Sequence, residues 1–350
     1  MEKIKVGILG ATGAVGQRFI QLLENHPWFE VVFLVASQKS AGKLYKDAVK
    51  WKLETPIPKK VKDLFIFDIS NLNTNGAKIL FSGLDSSVAG EVEEFYAKNG
   101  YIIISNSKNH RMVENVPLLI PEINYEHINL INHQSYKGAI ITNPNCSATF
   151  FTLVCGILNK KWPIEMINVV TMQAISGAGY PGIASYDILG NVVPFISGEE
   201  IKMETEPQKM MGKSDNGKII HEDIIISASA NRVAVIDGHT ESISVSFKGD
   251  VPSIEELKNE LKNYESPIYK MNLPTAVKFP VRVMEEDDRP QPRLDIGYEN
   301  GMAVSVGRIR KDNIFDYKMT ILGHNTIKGA AGAAILNAEL FVYLFSEKLK

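Results

Sequence analysis

A chain of 350 residues is too long for one small core, and about two domains are expected. Hydrophobic residues make up 45% and charged residues 22%, with 38 basic side chains against 40 acidic for a net charge of −2, a balance that suggests neither a disordered chain nor a polyanion-binding surface. Nucleic acid is therefore not an expected partner. Two cysteines cannot build a disulfide framework, and no Cys/His spacing resembles a zinc site, so reduced thiols and no structural metal are expected. The N-terminus runs straight into a strand with neither a signal-like segment nor an apolar run of about 18 residues, which points to the cytoplasm and no membrane partner.

Residues 4–9 form a β-branched run that feeds Gly10-Ala11-Thr12-Gly13-Ala14-Val15-Gly16 and then a helical pattern over 17–24. Strand, glycine turn and helix are what a dinucleotide pyrophosphate needs, because the glycines let backbone approach it and the helix N-terminus presents N–H groups. Gly10, Thr12, Gly13, Ala14 and Val15 are the expected contacts. The second strand, over 30–36, ends without the acid that would bind an NAD ribose. Ser37, Lys39 and Ser40 follow instead and suit a 2′-phosphate, so NADP is expected, with NAD as the weaker alternative. Runs at 77–83 and 101–106 read as parallel strands ending in the small polar residues Ser82 and Asn106, with a helix between them at 89–98.

Asn143-Pro144-Asn145-Cys146-Ser147-Ala148 places a cysteine at the first turn of an apolar helix running to Leu158. Unpaired N–H groups there lower a thiol's pKa and stabilise an oxyanion, so Cys146 is a candidate nucleophile. A strand over 166–174 leads into a second glycine-rich loop, 176–182, carrying Ser176 and Gly177. In the polar run after Gly198, Glu199 and Lys202 share a helix face. A strand over 227–235 ends near a Gly238-His239 corner before alternation resumes at 242–247, and His239, with a pKa near neutrality, is the candidate general base. The 280–292 stretch reads as an ordered, proline-rich loop. A last helix opens near Gly323-His324-Asn325 and runs through Leu344, returning Asn325 toward the nicotinamide.

Taken together these residues resemble aspartate-semialdehyde dehydrogenases, in their archaeal and fungal branch, from Gly7 to the last helix. The resemblance implies an α/β fold in which a Rossmann-type doubly wound parallel sheet is joined to an α+β catalytic and dimerisation domain, as in glyceraldehyde-phosphate-dehydrogenase-like proteins. It divides the chain into an NADP-binding part, 1–145 completed by 324–350, and a catalytic and oligomerisation part, 146–323. It makes Cys146 the nucleophile and Gln173 the acyl-positioning residue. It also gives Arg232 the substrate α-carboxylate, Glu199 the α-amino group, and Lys202 and Arg111 the phosphate, with Asn106 beside them. Ser82, Ser176, Gly177 and Asn325 join the cofactor contacts.

The implied reaction is NADPH-dependent conversion of aspartyl phosphate to aspartate semialdehyde and phosphate through a cysteine thioester, in a homodimer or homotetramer serving amino-acid biosynthesis. A malonyl-CoA reductase, an N-acetyl-glutamyl-phosphate reductase or another paralogous acyl reductase is the alternative. Glyceraldehyde-phosphate dehydrogenase usually carries an acid after the second strand, and a silent NADP sensor would dispense with Cys146, Gln173 and His239, all of which are present.

Overall fold

A computed structural model describes residues 2–349; Met1 and Lys350, the outer ends of the expected divisions, lie outside the described residues. The front sheet comprises β1 (Ile4–Leu9), β2 (Phe29–Val35), β3 (Ile66–Phe67), β4 (Ile79–Ser82), β5 (Ile102–Ser105) and β6 (Ala139–Thr142). They are parallel in the order β3-β2-β1-β4-β5-β6, the doubly wound arrangement whose strand order reverses beside β1. A parallel sheet covered on both faces needs unbroken apolar strands, and Ile-Ile-Ile-Ser of β5 and Ala-Ile-Ile-Thr of β6 are buried throughout. Helix α1 (Ala14–Leu23) begins three residues earlier than the apolar period suggests, because Val15 and Gly16 are already drawn against the glycine turn. Helix α2 (Ser86–Lys98) is capped by Asp85, whose side chain accepts from the Ser87 N–H.

The back sheet has β7 (Ile164–Gln173), β8 (Ile225–Arg232), β9 (His239–Phe247), β10 (Val281–Val283), β11 (Val304–Lys311) and β12 (Tyr317–Gly323), ordered β8-β7-β9-β12-β11-β10. Strand β9 starts at His239, so the histidine heads the strand rather than sitting in a corner before it. Residues 281–283 add an edge strand parallel to β11, correcting the loop expected there. Strand β7 alternates buried and accessible side chains, as a sheet with one covered face does. Helix α3 (Cys146–Asn159) fills that covered face, and its Phe150, Phe151, Leu153, Val154 and Ile157 are all buried.

Helix α4 (Glu199–Met210) lies against β8 and α3. Helix α5 (Gly332–Phe345), entered through one π-helical turn at Ile327–Ala331, packs Ile335, Leu336, Leu340 and Phe341 into the front core beside Ile8, Phe19 and Ile104. The continuous helix Ile327–Leu349 is long and apolar enough to cross a membrane by length and composition alone. Some 78% of that apolar stretch is buried inside the fold, so its apolarity is that of a core helix.

Candidate active site

The nucleotide end is shaped by missing side chains. Gly10 sits at φ +81°, where a side chain is strained, and a Cβ on Gly16 would lie 2.3 Å from the Gly10 carbonyl oxygen. Helix α1 has Gly13 as its N-cap and no side-chain cap, so its first N–H groups are left for a ligand. Ser37 and Lys39 are exposed beyond β2 with Ser40 half-buried, and the Ser82 hydroxyl at the end of β4 is buried without a partner. A dinucleotide carrying a 2′-phosphate fits this cradle: backbone donors for its pyrophosphate, hydroxyls and a cation for the extra phosphate.

The acyl end is assembled from buried polar side chains. Register pairs Gln173 with Arg232 at one end of the back sheet, and antiparallel β9 brings His239 to the same end, in register with Gly323. The N-terminus of α3 points there. Asn145 is its N-cap, accepting from the Ala148 N–H at 3.0 Å, which places the half-buried Cys146 as the first helical residue. Gly329 backs the cysteine, since a Cβ there would come within 2.7 Å of Cys146 Cβ. Cys146 Sγ lies 3.3 Å from His239 Nε2.

Glu199 organises the surrounding groups. Its carboxylate accepts from Asn145 Nδ2 at 2.8 Å, Gln173 Nε2 at 3.2 Å and Lys202 Nζ at 3.0 Å. Burial works against its charge, but Lys202 and these donors outweigh it and hold the carboxyl below its usual range. Glu199 is 5% exposed, so the pair with Lys202 is not a solvated surface pair. Arg232 donates to the Ala174 carbonyl at 2.7 Å, while its Nε is buried without a partner. Arg111 is 7% exposed and spends its guanidinium on Glu206 at 2.8 Å and on the Asn106 carbonyl at 2.7 Å. Asn325 bridges the two ends, accepting from the Gly238 N–H and donating to Ser176 Oγ at 2.7 Å. Gly177 leaves room for two site side chains, because a Cβ there would lie 2.8 Å from an Arg232 nitrogen and 3.0 Å from His239 Cε1.

Two electrostatic expectations are overturned. Burial, then the charge of Glu199, pushes the Cys146 thiol up to about 12, against the pull of Arg111, Arg232 and the Ser147 N–H. Burial, then Arg232, pushes His239 down to about 3 rather than leaving it near neutrality. Both shifts favour the neutral thiol and the neutral imidazole.

Sequence reasoning placed Asn145 in the nucleophile motif but missed what its side chain does, and it missed Glu206 and the Ala174 backbone. Glu206 accepts from the Asn145 N–H at 2.6 Å and so fixes the nucleophile's turn through the backbone. Its signal was available: Glu199, Met203, Glu206 and Met210 recur at helical spacing and form the buried face of α4.

A family described as "Semialdehyde dehydrogenase, NAD binding domain" matches residues 5–131, and one described as "Semialdehyde dehydrogenase, dimerisation domain" matches residues 155–328. Aspartate-semialdehyde dehydrogenase of Schizosaccharomyces pombe is 47% identical over 97% of this chain and 98% of its own length. That of Archaeoglobus fulgidus is 46% identical with the same coverage. The crystal structure of aspartate semialdehyde dehydrogenase with NADP from Candida albicans superposes with a TM-score of 0.91 at 42% identity, covering 97% of this chain and 99% of that one. A fungal and an archaeal relative at this identity and coverage agree with the glycine turn, the cysteine helix and the two sheets: the chain belongs to the aspartate-semialdehyde dehydrogenase family.

Proposed function

We infer that the chain reduces L-aspartyl-4-phosphate to L-aspartate 4-semialdehyde with release of phosphate, through a thioester on Cys146. The carrying observation is the 3.3 Å approach of Cys146 Sγ to His239 Nε2 at the sheet end that also holds Gln173, Arg232 and Glu199. NADPH, when bound, supplies the hydride. Gly10, Thr12, Gly13, Ala14 and Val15 would hold its pyrophosphate, and Ser37, Lys39 and Ser40 its 2′-phosphate. Ser82, Ser176, Gly177 and Asn325 would orient its nicotinamide half. NAD is the poorer fit, for want of an acid after β2.

Toward the substrate, Arg232 offers a planar fork to the α-carboxylate and Glu199 an anion to the α-amino group. Lys202 and Arg111 receive the phosphate, with Asn106 holding Arg111 in place. Gln173 and the N–H groups at the start of α3 face the acyl oxygen. Residues 1–145 with 324–350 serve the nucleotide, and 146–323 serve acyl chemistry and self-association. The accessible face of the back sheet suits a homodimer, or two dimers in a tetramer, and a thiol that must stay reduced suits the cytoplasm. This chemistry belongs to biosynthesis of the aspartate-derived amino acids.

The test is phosphate-dependent reduction of NADP with aspartate semialdehyde, beside a Cys146→Ala variant and a reaction in which coenzyme A replaces phosphate. Turnover that requires both phosphate and Cys146 is expected. Turnover only with coenzyme A, or in the variant, overturns the reading.

A further inference from the structure

We propose that Lys209 is a positioning residue for phosphate: its ammonium ties down the backbone of the 111–116 loop and so holds the Arg111 guanidinium where phosphate is received. The inference rests on the reading of Arg111 as a phosphate ligand. Between β5 and Leu118 the chain forms turns only, so its backbone groups need partners from elsewhere. Three of its carbonyls, those of Arg111, Val113 and Val116, converge on Lys209 Nζ, each at 2.7 Å. An ammonium has three N–H donors and no acceptor, so its whole capacity goes to this one loop.

Lys209 is 1% exposed, and an ammonium is a costly way to fill buried space. Its helical neighbours Met203 and Met210 show that methionine packs on this face without that cost. What lysine adds over methionine is the three carbonyl bonds. Met112 and Val113 are exposed, so apolar burial holds the middle of the loop weakly. The other end of the loop is already fixed, because Asn106 Oδ1 accepts from Asn143 Nδ2 at 2.9 Å. Lys209 closes the free end.

Helix α4 carries Glu199, Lys202, Glu206 and Lys209 at helical spacing along one side. Glu206 accepts from the Arg111 guanidinium at 2.8 Å and from the Asn145 N–H at 2.6 Å. Lys209, one turn on, takes the Arg111 carbonyl. Consecutive turns of one helix therefore grip Arg111 by its side chain and by its backbone, and the same helix presents Glu199 and Lys202. Arg111 Nε stays buried without a partner, an N–H still free to meet an anion. Without the ammonium, three carbonyls lose a charged donor, and the loop moves to reach water and carries Arg111 with it.

The test follows phosphate-dependent reduction of NADP with aspartate semialdehyde in full-length Lys209→Met, Arg111→Gln and the double variant. In Lys209→Met the KM for phosphate should rise about 10- to 100-fold, the range for losing a charged hydrogen bond. The KM for aspartate semialdehyde and the dissociation constant for NADPH should remain those of wild type. A wild-type KM for phosphate, or equal losses in all three constants, overturns the proposal. Because Lys209 acts through Arg111, the double variant should be little worse than Arg111→Gln alone, and losses that multiply overturn the proposal. Should Lys209→Met not fold, Lys209→Gln, which keeps two N–H donors toward the same carbonyls, carries the same comparison with a smaller rise. A wild-type KM for phosphate in Arg111→Gln overturns the reading of Arg111, whereas a raised one there beside an unchanged one in the Lys209 variant overturns only the role of Lys209.

Discussion

Between Gly10 and Gly16 the groups on offer are backbone N–H donors and the decisive side chains are missing ones, whereas around Cys146 the decisive groups are side chains, held by other side chains and by the backbone of Ala174 and Asn106. The nucleotide end carries no ionisable residue from Gly10 through Gly16. The acyl end buries Glu199, Glu206, Arg111, Arg232 and His239 within one assembly. A cradle of backbone is broken by adding atoms, and a network of buried charges is broken by removing one. The two ends should therefore fail separately.

The largest effect that isolates the nucleotide end is expected from Gly16→Ala. The added methyl would meet backbone on two sides, Gly10 O at 2.3 Å and Ala11 at 2.8 Å, and backbone cannot yield as a flexible side chain does. NADPH affinity measured by fluorescence titration should fall by about 100-fold or more, equivalent to about 2.7 kcal/mol, while Cys146 remains open to acylation by aspartyl phosphate. Retained affinity would show that the turn tolerates a wider path than its geometry allows.

Glu199→Gln is the counterpart at the acyl end. It removes the charge facing Lys202 and leaves hydrogen-bonding capacity toward Asn145, so the fold should survive. kcat/KM for aspartate semialdehyde should fall by about 10²-fold, the range expected on losing a charged hydrogen bond. NADPH affinity should not change. A parallel loss of NADPH binding would mean the two ends are coupled, with the Asn325–Ser176 hydrogen bond among the links that could carry it.

What could be read from sequence divides along the same line. Glycine spacing is local, so the Gly10–Gly16 turn and the strands on either side of its helix were legible, with strand ends correct to within a few residues. Cys146 at a helix start was legible for the same reason: Pro144 and Asn145 are adjacent signals. The depth of the site was not. Asn145 to Glu199 spans 54 residues, and Arg111 to Glu206 spans 95, and nothing local records such pairings. The helix-terminus argument for a low thiol pKa ignored what burial and Glu199 would do in three dimensions.

Acid should expose the buried network before it affects the backbone cradle. Burial holds His127 and His324 down to about 4 and His239 to about 3, so the unfolded chain takes up their protons first as pH drops through about 6.5. Stability is fully present above that pH and declines toward the folded values. Glu93, raised to about 7 by burial, and Glu241, raised well above its usual range, pull the other way over the same interval. His110 and His221, also lowered by burial, add to the histidine side. Urea unfolding at pH 6.5 and 5 should show stability lost on acidification, and a gain would mean that the carboxyls dominate.

The smallest effect expected is at the rim of the nucleotide end. Lys39 is exposed just beyond β2, and a 2′-phosphate bound there would meet it across water and salt. An exposed ion pair is worth about 0.2–1 kcal/mol, so Lys39→Ala should weaken NADPH by only about two- to fivefold at ordinary ionic strength. NAD carries no phosphate at that position, so its binding should stay the same and the NADP-to-NAD preference should shrink by the same factor. The difference should fade further in high salt, because the charges lie in solvent. An unchanged preference would hand the choice of cofactor to Ser37 and Ser40, whose hydroxyls bind without charge, and Ser37→Asp, which places an anion beside the same phosphate, would then be the change that reverses it.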